Sequence, residues 1–409
     1  MRVCYVAADV AVPFYRGSST HVYEVAKNLS KMGHEVHLVA RRLDISQPKT
    51  ESLDGMVIHR YQRGILFSPH RAGFADAKSQ GSYRGGTPLF AWKSYELYLQ
   101  TLFPLFIATE VARLVKENSI DVIFERETSF GAGAIASIMT GRPYVLEVIG
   151  NRVTSLQLAR SRKIVAYSSR MFEGTANVEK VELVTGAVDS ELFKPDANAG
   201  REIRSLYSVG DGPVIGFVGT FQEWQGMDDL IAAAVQVLRR YPGAKFLMVG
   251  PYYSETQTKV SSMGIARSFI FTGPVNYREV PSYMNAADVL VAPYNPDAIR
   301  STEQVRRYGL GSPLKVFEYM SVGKPSITTD IRPISDAIRD GVTGYLVPPG
   351  APDQLSAAIQ KVLDNPVEAE RVGRMAREEV VASYSWSSVA ARISKILLEA
   401  TTVSAQREN

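Results

Sequence analysis

The sequence predicts an α/β protein with two doubly wound parallel sheets, one in each half of the chain. The chain has 409 residues, of which 45% are hydrophobic, so it is long enough for two domains with separate cores. Short apolar runs typical of buried strands alternate with amphipathic helices, and this series starts afresh after a polar segment at 188–200. We therefore expect a domain boundary near residue 195.

The first half combines buried strands with a clear early helix. "THVYEVAKNLSKMG" (20–33) has apolar residues three and four positions apart and ends at Gly33, which predicts a helix. Strands are expected at 2–9, 35–40, 121–125, 144–149 and 163–168. The apolar stretch at 97–115 is interrupted by charged residues and a proline, which favours a core or interfacial helix over a membrane span.

The second half repeats this pattern. A strand at 213–219 is followed by a helix near 226–240. Further strands are expected at 245–250, 269–273, 288–294, 325–330 and 344–348. A final helix from about Trp386 is expected to return to the first half, so the predicted domains are 1–195 with 386–409, and 196–385. Doubly wound sheets bind ligands beyond the carboxyl ends of their strands, which predicts a binding cleft between the halves.

Charge and cysteine content restrict the partners and the compartment. The formal net charge of +4 is too small to indicate a nucleic-acid partner but suits an anionic substrate or a membrane surface. Cys4 is the only cysteine, so no intrachain disulfide is expected. The apolar run at the N-terminus is too short for a signal peptide. We expect a cytoplasmic protein, with or without peripheral contact to the inner face of a membrane.

A glycine turn between a strand and a helix occurs early in each half. Gly17 precedes the helix of the first half, while Gly219 and Gly226 flank the corresponding turn of the second. Glycine lets a backbone approach a ligand closely, and a helix N-terminus favours phosphate. Neither turn fits G-x-G-x-x-G or G-x-x-x-x-G-K-[ST], which disfavours a nicotinamide enzyme and a P-loop ATPase.

"YGLGSPLKVFEYMSVGKP" (308–325) predicts a loop that runs into a helix, with Ser312 as N-cap and Pro313 at the first helical position. Glu318 lies among apolar positions of that helix, and a carboxylate there needs donors or water. One interpretation is a pair with Lys315, three residues earlier. The other is that Glu318 binds the hydroxyls of a ligand whose anionic group lies at the helix start.

Several longer stretches carry a family resemblance. "FIFTGPVNYREVPSYMNAADVLVAPY", "SPLKVFEYMSVGKPSITTDIRPISDAIRDGVTGYLVPPG" and "YSWSSVAARI" resemble the retaining glycosyltransferases of family 4, which have the GT-B fold. "GSSTHVYEVAKNLSKMGHEVHLV", "VDSELFKP" and "FVGTFQEWQG" agree with them in the same order. The resemblance implies two Rossmann-like domains that face a central cleft, with the acceptor on the first domain and a nucleotide-sugar donor on the second.

The resemblance also implies an activity. The expected reaction transfers a hexose, with retention, from a nucleotide diphosphate sugar to a glycan, lipid-linked or small-molecule hydroxyl. Front-face substitution is expected, in which the leaving diphosphate takes the acceptor's proton. No cofactor and no metal are expected, because no residue cluster has metal-ligand spacing.

The donor residues implied by the resemblance lie in the second half, apart from one glycine. Glu318 is expected at the ribose hydroxyls, and backbone amides near Ser312, Pro313 and Leu314 at the diphosphate. The other expected donor-binding residues are Gly17, Gly219, Thr220, Gln225, Gly273, Val275 and Gly311.

The sequence departs from the family pattern at charged positions. Leu310 stands where the family has a sugar-contacting glutamate, and Thr220 and Gln225 stand where it has a basic pair at the diphosphate. Either the positive charge has moved to other residues, or the chain has become a binding protein without turnover. Candidate replacements for the charge are Arg16, Arg126, Lys315, Arg300, Arg306 and Arg307. The catalytic candidates are Arg16, His21, Arg126, Glu147 and Lys315.

The first half offers acceptor-site candidates. Glu125, Arg126 and Glu127 follow a strand that should end at the cleft, and we expect them to touch acceptor or sugar. Asn151 is a further acceptor candidate. Glu147 fits the same role or a structural pair with Arg126, and His21 fits an acceptor contact or a backbone hydrogen bond.

Two basic loops widen the range of acceptors. The stretches 63–99 and 151–163 fit either a site for a phosphate-bearing or lipid-linked glycan at a membrane, or ordinary solvated loops.

Two alternative functions stay open. A nucleotide-sugar epimerase or hydrolase would need an acid/base pair, for which Glu125, Glu127 and Glu147 are the candidates. A non-catalytic nucleotide-sugar-binding protein would fit the missing charges. The sequence leaves open the base, the sugar, the acceptor, the linkage and the oligomeric state.

Overall fold

The computed structural model describes residues 1–13, 17–62, 102–149, 153–167, 172–184, 186–221, 223–251, 254–295, 314–332 and 334–405. Backbone contacts divide the chain into two compact units. Unit 1 comprises Met1–Val184 together with Ala390–Asn409, and unit 2 comprises Thr185–Val389. Each unit contains one sheet with helices packed against it.

The sheet of unit 1 has eight strands in the order β3-β4-β2-β1-β5-β6-β7-β8. The strands are β1 (Arg2–Ala11), β2 (Glu35–Arg41), β3 (Thr50–Leu53), β4 (Met56–Tyr61), β5 (Val122–Arg126), β6 (Tyr144–Val148), β7 (Lys163–Ala166) and β8 (Val181–Leu183). Neighbouring strands are parallel except for the antiparallel pair β3–β4. Strands β5 and β6 are buried along their whole length and β1 from Val3 to Ala8, as expected for a sheet covered on both faces.

The helices of unit 1 come from two chain segments. They are α1 (Gly17–Lys31), α2 (Leu102–Glu117), α3 (Ala132–Thr140), α4 (Ser155–Arg160) and α12 (Trp386–Ala405). Helix α12 comes from the far end of the chain. It is joined to unit 1 by a hydrogen bond from Arg162 Nη1 to the carbonyl of Ala400 (2.8 Å) and by the contact of His34 Nε2 with Ser394 Oγ (2.7 Å). The C-terminal helix therefore completes unit 1, although unit 2 separates it from the rest.

The sheet of unit 2 has six parallel strands in the order β11-β10-β9-β12-β13-β14. The strands are β9 (Val214–Val218), β10 (Lys245–Val249), β11 (Phe269–Gly273), β12 (Val289–Ala292), β13 (Ser326–Thr329) and β14 (Tyr345–Val347). The helices are α5 (Ala197–Leu206), α6 (Met227–Arg240), α7 (Ser254–Ser262), α8 (Val280–Asn285), α9 (Leu314–Ser321), α10 (Pro352–Asp364) and α11 (Pro366–Ser383). Separate apolar cores lie on the two faces of this sheet.

The predicted parallel strands of both halves are present, each within about two residues of the expected bounds. The expected helices at 20–33 and 226–240 are α1 and α6, and the apolar stretch at 97–115 contributes to α2. No helix in the described part of the chain is long and apolar enough to cross a membrane. The β3–β4 hairpin and β8 were not predicted from the sequence. The edge strands β3 and β8 are short and partly exposed, and they lack a continuous apolar run.

Gly226 shows why the turn after β9 needs glycine. Its φ is +68°, and a Cβ at this position would lie 1.7 Å from the carbonyl oxygen of Pro293. Backbone therefore occupies the space of a side chain, and the left-handed conformation ends the turn at the start of α6.

Candidate functional site

Glutamine orders the turn that follows β9 in unit 2. Oε1 of Gln225 accepts hydrogen bonds from the backbone amides of Thr220 and Phe221, both at 3.1 Å. The side chain of Gln225 is buried, whereas Thr220 is exposed. The structure thus brings the predicted residues Gly219, Thr220 and Gln225 together in one turn at the carboxyl end of the sheet.

Lys315 points its ammonium group against this turn from helix α9. A Cβ added at Gly219 would lie 2.6 Å from both Lys315 Nζ and Gln225 Oε1. Nζ also lies over two aromatic rings, 4.5 Å from the centroid of Phe217 and 5.4 Å from that of Tyr294. Within the described residues this buried atom has no hydrogen-bond partner. Burial lowers the pKa of Lys315 to about 7, although Glu318 acts to raise it.

Glu318 lies one turn further along α9 and is 8% exposed. The hydroxyl of Tyr277 donates a hydrogen bond to its Oε1 at 2.9 Å. Burial raises the pKa of Glu318 to about 7, against the opposing effects of Tyr277 and Lys315. The pair with Lys315 that the sequence offered as one interpretation is not among the ion pairs of the described residues. The two side chains interact through space, and neither neutralises the other by direct contact.

Gly273 is the last residue of β11, and Val275 follows two residues later in the same unit. Gly273 has φ +72°, and a Cβ there would meet no atom within 4 Å, so this position borders open space. Its carbonyl accepts a hydrogen bond from the amide of Gly250 at 3.2 Å. Val275 packs partly against the core next to Tyr277. Their predicted role in donor binding stays a prediction.

A hydrogen-bonded cluster lies at the carboxyl end of the unit 1 sheet, centred on Glu147 of β6. The hydroxyl of Tyr5 donates to Glu147 Oε2 at 2.5 Å, and Nε2 of His21 lies 2.7 Å from Oε1. Nδ1 of the same imidazole lies 2.9 Å from the hydroxyl of Tyr167. Burial alone would raise the pKa of Glu147, but His21, Arg126 and Tyr5 hold it below its ordinary value.

Arg126 of β5 completes the cluster. It pairs with Glu147 in the strand register, and its Nη1 lies 3.8 Å from Glu147 Oε2. Its residue is 6% exposed, and among the described residues its Nε and Nη1 have no hydrogen-bond partner. The predicted candidates His21, Arg126 and Glu147 are thus brought together, with Glu147 paired to Arg126 as one of the two interpretations had it.

Glu125 requires a correction, because it lies on the opposite face of the sheet from Arg126. It is fully buried, and its oxygens accept from the backbone amides of Gly131 (3.1 Å) and Ala134 (3.2 Å) and from the hydroxyl of Tyr144 (2.5 Å). Burial raises its pKa to about 7. Its carboxyl group therefore holds the start of α3, which leaves no oxygen for the expected contact with acceptor or sugar.

Glu127 begins a single helical turn, Glu127–Ser129, directly after β5, and it is 2% exposed. Its carbonyl oxygen accepts a hydrogen bond from Gln157 Nε2 at 3.2 Å. The predicted residues Gly17 and Leu314 are the first residues of α1 and α9. Eight predicted residues and the basic stretch 63–99 lie outside the described part of the chain; the residues are Arg16, Asn151, Arg300, Arg306, Arg307, Gly311, Ser312 and Pro313.

Sequence reasoning missed the aromatic residues that surround these side chains. Tyr5 donates a hydrogen bond to Glu147, and Tyr277 donates one to Glu318. The rings of Phe217 and Tyr294 contact the ammonium of Lys315. Each lies in or just after a strand, where an aromatic residue usually indicates core packing. Only the hydroxyl groups of the tyrosines hinted at a polar role.

No group of histidine, cysteine, aspartate or glutamate side chains in the described residues could hold a metal ion. Among the described residues, the candidate side chains form two groups. One is Lys315 with Glu318 in unit 2. The other is Arg126 with Glu147 and His21 in unit 1.

Comparison with known proteins identifies the family. The family model Glycosyltransferase Family 4 matches residues 15–172, and Glycosyl transferases group 1 matches residues 212–365. The chain belongs to these glycosyltransferases, as the motifs of its second half predicted.

Curated relatives are similar over most of the chain. A GDP-mannose-dependent alpha-(1-6)-phosphatidylinositol monomannoside mannosyltransferase of Mycolicibacterium smegmatis is 25% identical over 315 residues, which cover 71% of this chain and 80% of the relative. Glycogen synthase of Mycobacterium tuberculosis is 22% identical over 420 residues, which cover 98% of this chain and 95% of the relative.

Solved structures share the fold. HepE of Anabaena in complex with UDP has a TM-score of 0.70 at 15% identity, over 98% of this chain and 100% of that chain. Sucrose-phosphate synthase of Thermosynechococcus elongatus has a TM-score of 0.70 at 19% identity, over 98% of this chain and 99% of that chain. The predicted GT-B fold is thereby confirmed.

Proposed function

We propose that this glycosyltransferase moves a hexose, with retention, from a nucleotide diphosphate sugar bound by unit 2 to a hydroxyl of a glycan, lipid-linked or small-molecule acceptor bound by unit 1. The observation that carries the proposal is the buried ammonium of Lys315, which has no hydrogen-bond partner among the described residues and lies against the Gly219 turn. Glu318, three residues later, lies on the same side of the helix.

The energetics of these two side chains favour a ligand that carries both an anion and hydroxyl groups. Burial disfavours the charged form of each, because the pKa of Lys315 falls and that of Glu318 rises. A diphosphate would supply the counter-charge that Lys315 lacks. Vicinal ribose hydroxyls would donate hydrogen bonds to the carboxylate of Glu318. A nucleotide diphosphate sugar presents both groups in one molecule.

Lys315 also accounts for the neutral residues of the turn. Thr220 and Gln225 stand where the family pattern has a basic pair, yet Lys315 Nζ lies at the same side of Gly219 as Gln225 Oε1. We infer that the positive charge has moved from the turn to helix α9. This relocation supports turnover over the alternative of a binding protein that has lost its catalytic charge.

The proposed reaction needs no nucleophile from the protein. The bond between the anomeric carbon and the diphosphate oxygen breaks while the acceptor oxygen forms a bond to the same face of that carbon. The proton of the acceptor hydroxyl passes to the departing diphosphate oxygen. Lys315 stabilises the negative charge that develops there, and both substrates are held in position. No metal and no cofactor enter this scheme.

The names of relatives leave the donor base to experiment. The mycobacterial relative is named as dependent on GDP-mannose, whereas HepE was solved with UDP. The first experiment is therefore a calorimetric screen of the purified chain against UDP, GDP, ADP and their common hexose derivatives.

Substitution of Glu318 by alanine tests the ribose assignment. We expect Glu318→Ala to weaken binding of the preferred nucleotide sugar by about 1–3 kcal/mol, because ribose hydroxyls lose their acceptor. Glu255→Ala, at an exposed glutamate of α7, is the matched control and should leave affinity unchanged. Equal affinity of Glu318→Ala and the native chain, with the fold intact by circular dichroism, would contradict the assignment.

A second pair of ligands separates the roles of the two residues. Lys315→Met should weaken the nucleoside diphosphate and leave the weak binding of the nucleoside alone unchanged, whereas Glu318→Ala should weaken both. Nucleotide binding without product across all donors and a broad set of sugar acceptors would favour the non-catalytic alternative. Release of free sugar without any acceptor would favour a hydrolase.

A further inference from the structure

Arg126 is the most unusual polar side chain of unit 1. The residue is 6% exposed, and its Nε and Nη1 find no acceptor among the described residues. A buried N–H group without an acceptor is costly, and native proteins leave few such groups unless water or a ligand satisfies them. The guanidinium lies at the carboxyl end of β5, the edge where parallel sheets bind ligands.

The positive charge of Arg126 is already balanced. Glu147 Oε2 lies 3.8 Å from Nη1, and both Glu147 and Asp9 contribute to raising the pKa of Arg126 against the effect of burial. Asp9 is held in place by a hydrogen bond from Thr128 Oγ1 at 2.6 Å. The guanidinium therefore has acidic neighbours, although its N–H groups lack hydrogen bonds.

Both carboxylate oxygens of Glu147 are engaged elsewhere. Oε1 of Glu147 faces His21 Nε2, and Oε2 accepts the short hydrogen bond from Tyr5. Arg126 thus receives charge compensation from Glu147 at a distance too long for a hydrogen bond. Among the described residues, what Arg126 lacks is a hydrogen-bond acceptor within reach rather than a nearby negative charge.

We propose that Arg126 binds neutral oxygen atoms of a sugar, namely hydroxyl or carbonyl oxygens, and not a phosphate or carboxylate group. The inference rests on the proposed glycosyl transfer and defines the chemistry of the substrate group that unit 1 recognises. An anion at Arg126 would meet Glu147 and Asp9 in a buried setting, where like charges repel strongly. Neutral oxygens satisfy the N–H groups without that repulsion.

This inference narrows the class of acceptor. The sugar ring or polyol that reaches Arg126 carries no phosphate or carboxylate at the contacting positions. A lipid-linked or phosphorylated acceptor places its anionic group elsewhere. Arg126 acts as a specificity-determining residue for the uncharged part of the substrate.

The test compares neutral and phosphorylated sugars on the full chain. The probes are the methyl α-glycosides of glucose, mannose and galactose and the 6-phosphates of the same sugars, titrated by saturation-transfer NMR. All titrations use the Lys315→Met variant, so that phosphate binding at unit 2 does not contribute. Arg126→Met in this background removes the guanidinium. The further change Glu147→Gln removes the carboxylate that would otherwise be left uncompensated and provides a second, charge-balanced variant.

We expect at least one neutral glycoside to bind, its 6-phosphate to bind no more tightly, and the Arg126→Met variants to weaken the neutral sugar by about tenfold or more. A 6-phosphate that binds about tenfold more tightly than its neutral parent, with the advantage lost in Arg126→Met, would overturn the inference. So would neutral binding that is absent or unaffected by Arg126→Met. Nucleotide binding to the native chain, measured separately, shows whether the proposed function itself holds.

Discussion

Lys315 illustrates the structural cost of a buried charged side chain, one that we propose to act at a ligand site. Its ammonium is enclosed by the rings of Phe217 and Tyr294 and has no hydrogen-bond partner among the described residues. The cation–π contacts recover part of the lost hydration. The lowered pKa of Lys315 indicates that the rest of the hydration energy is not recovered. This cost to stability agrees with the proposed role of Lys315 in ligand binding.

Replacement of Lys315 should therefore stabilise the ligand-free protein in a pH-dependent way. The pKa of Lys315 is about 7 in the folded chain, against an ordinary value of 10.5. The unfolded chain binds more protons than the folded chain between these values, so the destabilisation is full below pH 7 and fades as the pH approaches 10.5. Lys315→Met should raise the melting temperature by several degrees near pH 6 and have little effect near pH 10.

The control for this prediction is Lys361→Met. Lys361 also lies over an aromatic ring, 5.3 Å from the centroid of Tyr345, but it is exposed. Its replacement should change the melting temperature near pH 6 much less than Lys315→Met does. A Lys315→Met effect that is independent of pH between 6 and 10 would mean that the ammonium is solvated in solution.

At the residue scale, the sequence singled out Lys315 and Glu318 as candidates but did not predict which residues contact them. Glu318 and Lys315 were recognised from one short stretch, but the rings that hold Lys315 come from β9 and from the segment after β12, and no local pattern links them. The orientation of Glu125 away from Arg126 could have been predicted from the sequence. Successive residues of a strand point to opposite faces, so Glu125 and Arg126 could not both face one ligand.

Among the elements, the turn from β9 to α6 carries the strictest backbone requirement. Gly226→Ala should lower the free energy of unfolding of unit 2. Backbone strain alone contributes about 1–3 kcal/mol, and the overlap of the new Cβ with the carbonyl of Pro293 adds to this loss. Chemical denaturation followed by fluorescence measures the change. Gly243→Ala, where a Cβ would meet no atom within 4 Å, should stay within about 0.5 kcal/mol of the native chain. Similar losses in both variants would mean that the turn tolerates a Cβ at Gly226.

Elements with a strong hydrophobic pattern were predicted well, and weakly patterned ones were not. The central parallel strands are continuous apolar runs because both of their faces are covered. Strand β3 alternates between exposed and partly buried residues over only four positions, which is too short for a periodicity to be recognised. Its antiparallel pairing with β4 depends on its position at the edge of the sheet, which its own four residues do not predict.

At the scale of the whole molecule, helix α12 joins the end of the chain to the unit in which the chain begins. Leu397 is fully buried on this helix, whereas its neighbour Leu398 is 46% exposed. Leu397→Ala should destabilise unit 1 by about 2–5 kcal/mol through the loss of buried methyl groups and the cavity left behind. Leu398→Ala should have little effect. Thermal unfolding measures both, and equal melting temperatures for the two variants would show that α12 does not contribute to the core of unit 1.

We expected the final helix to return to the first half, but its own residues do not determine this position. Composition and periodicity predict an amphipathic helix after Trp386 but contain no information about which unit it packs against. That choice depends on contacts such as Arg162 with the carbonyl of Ala400, between residues more than two hundred positions apart.

The position of α12 also imposes an order on synthesis in the cell. Unit 1 is the first to leave the ribosome, yet its last helix follows the whole of Thr185–Val389. At about 5–20 residues per second, translation of that segment takes roughly 10–40 s. For this time unit 1 lacks the segment that carries the buried residues Ile393 and Leu397, and the apolar surface that they cover stays open to water. Chaperones that shield such surface should therefore engage the growing chain before the second sheet has been completed, and release it once the final helix has been made.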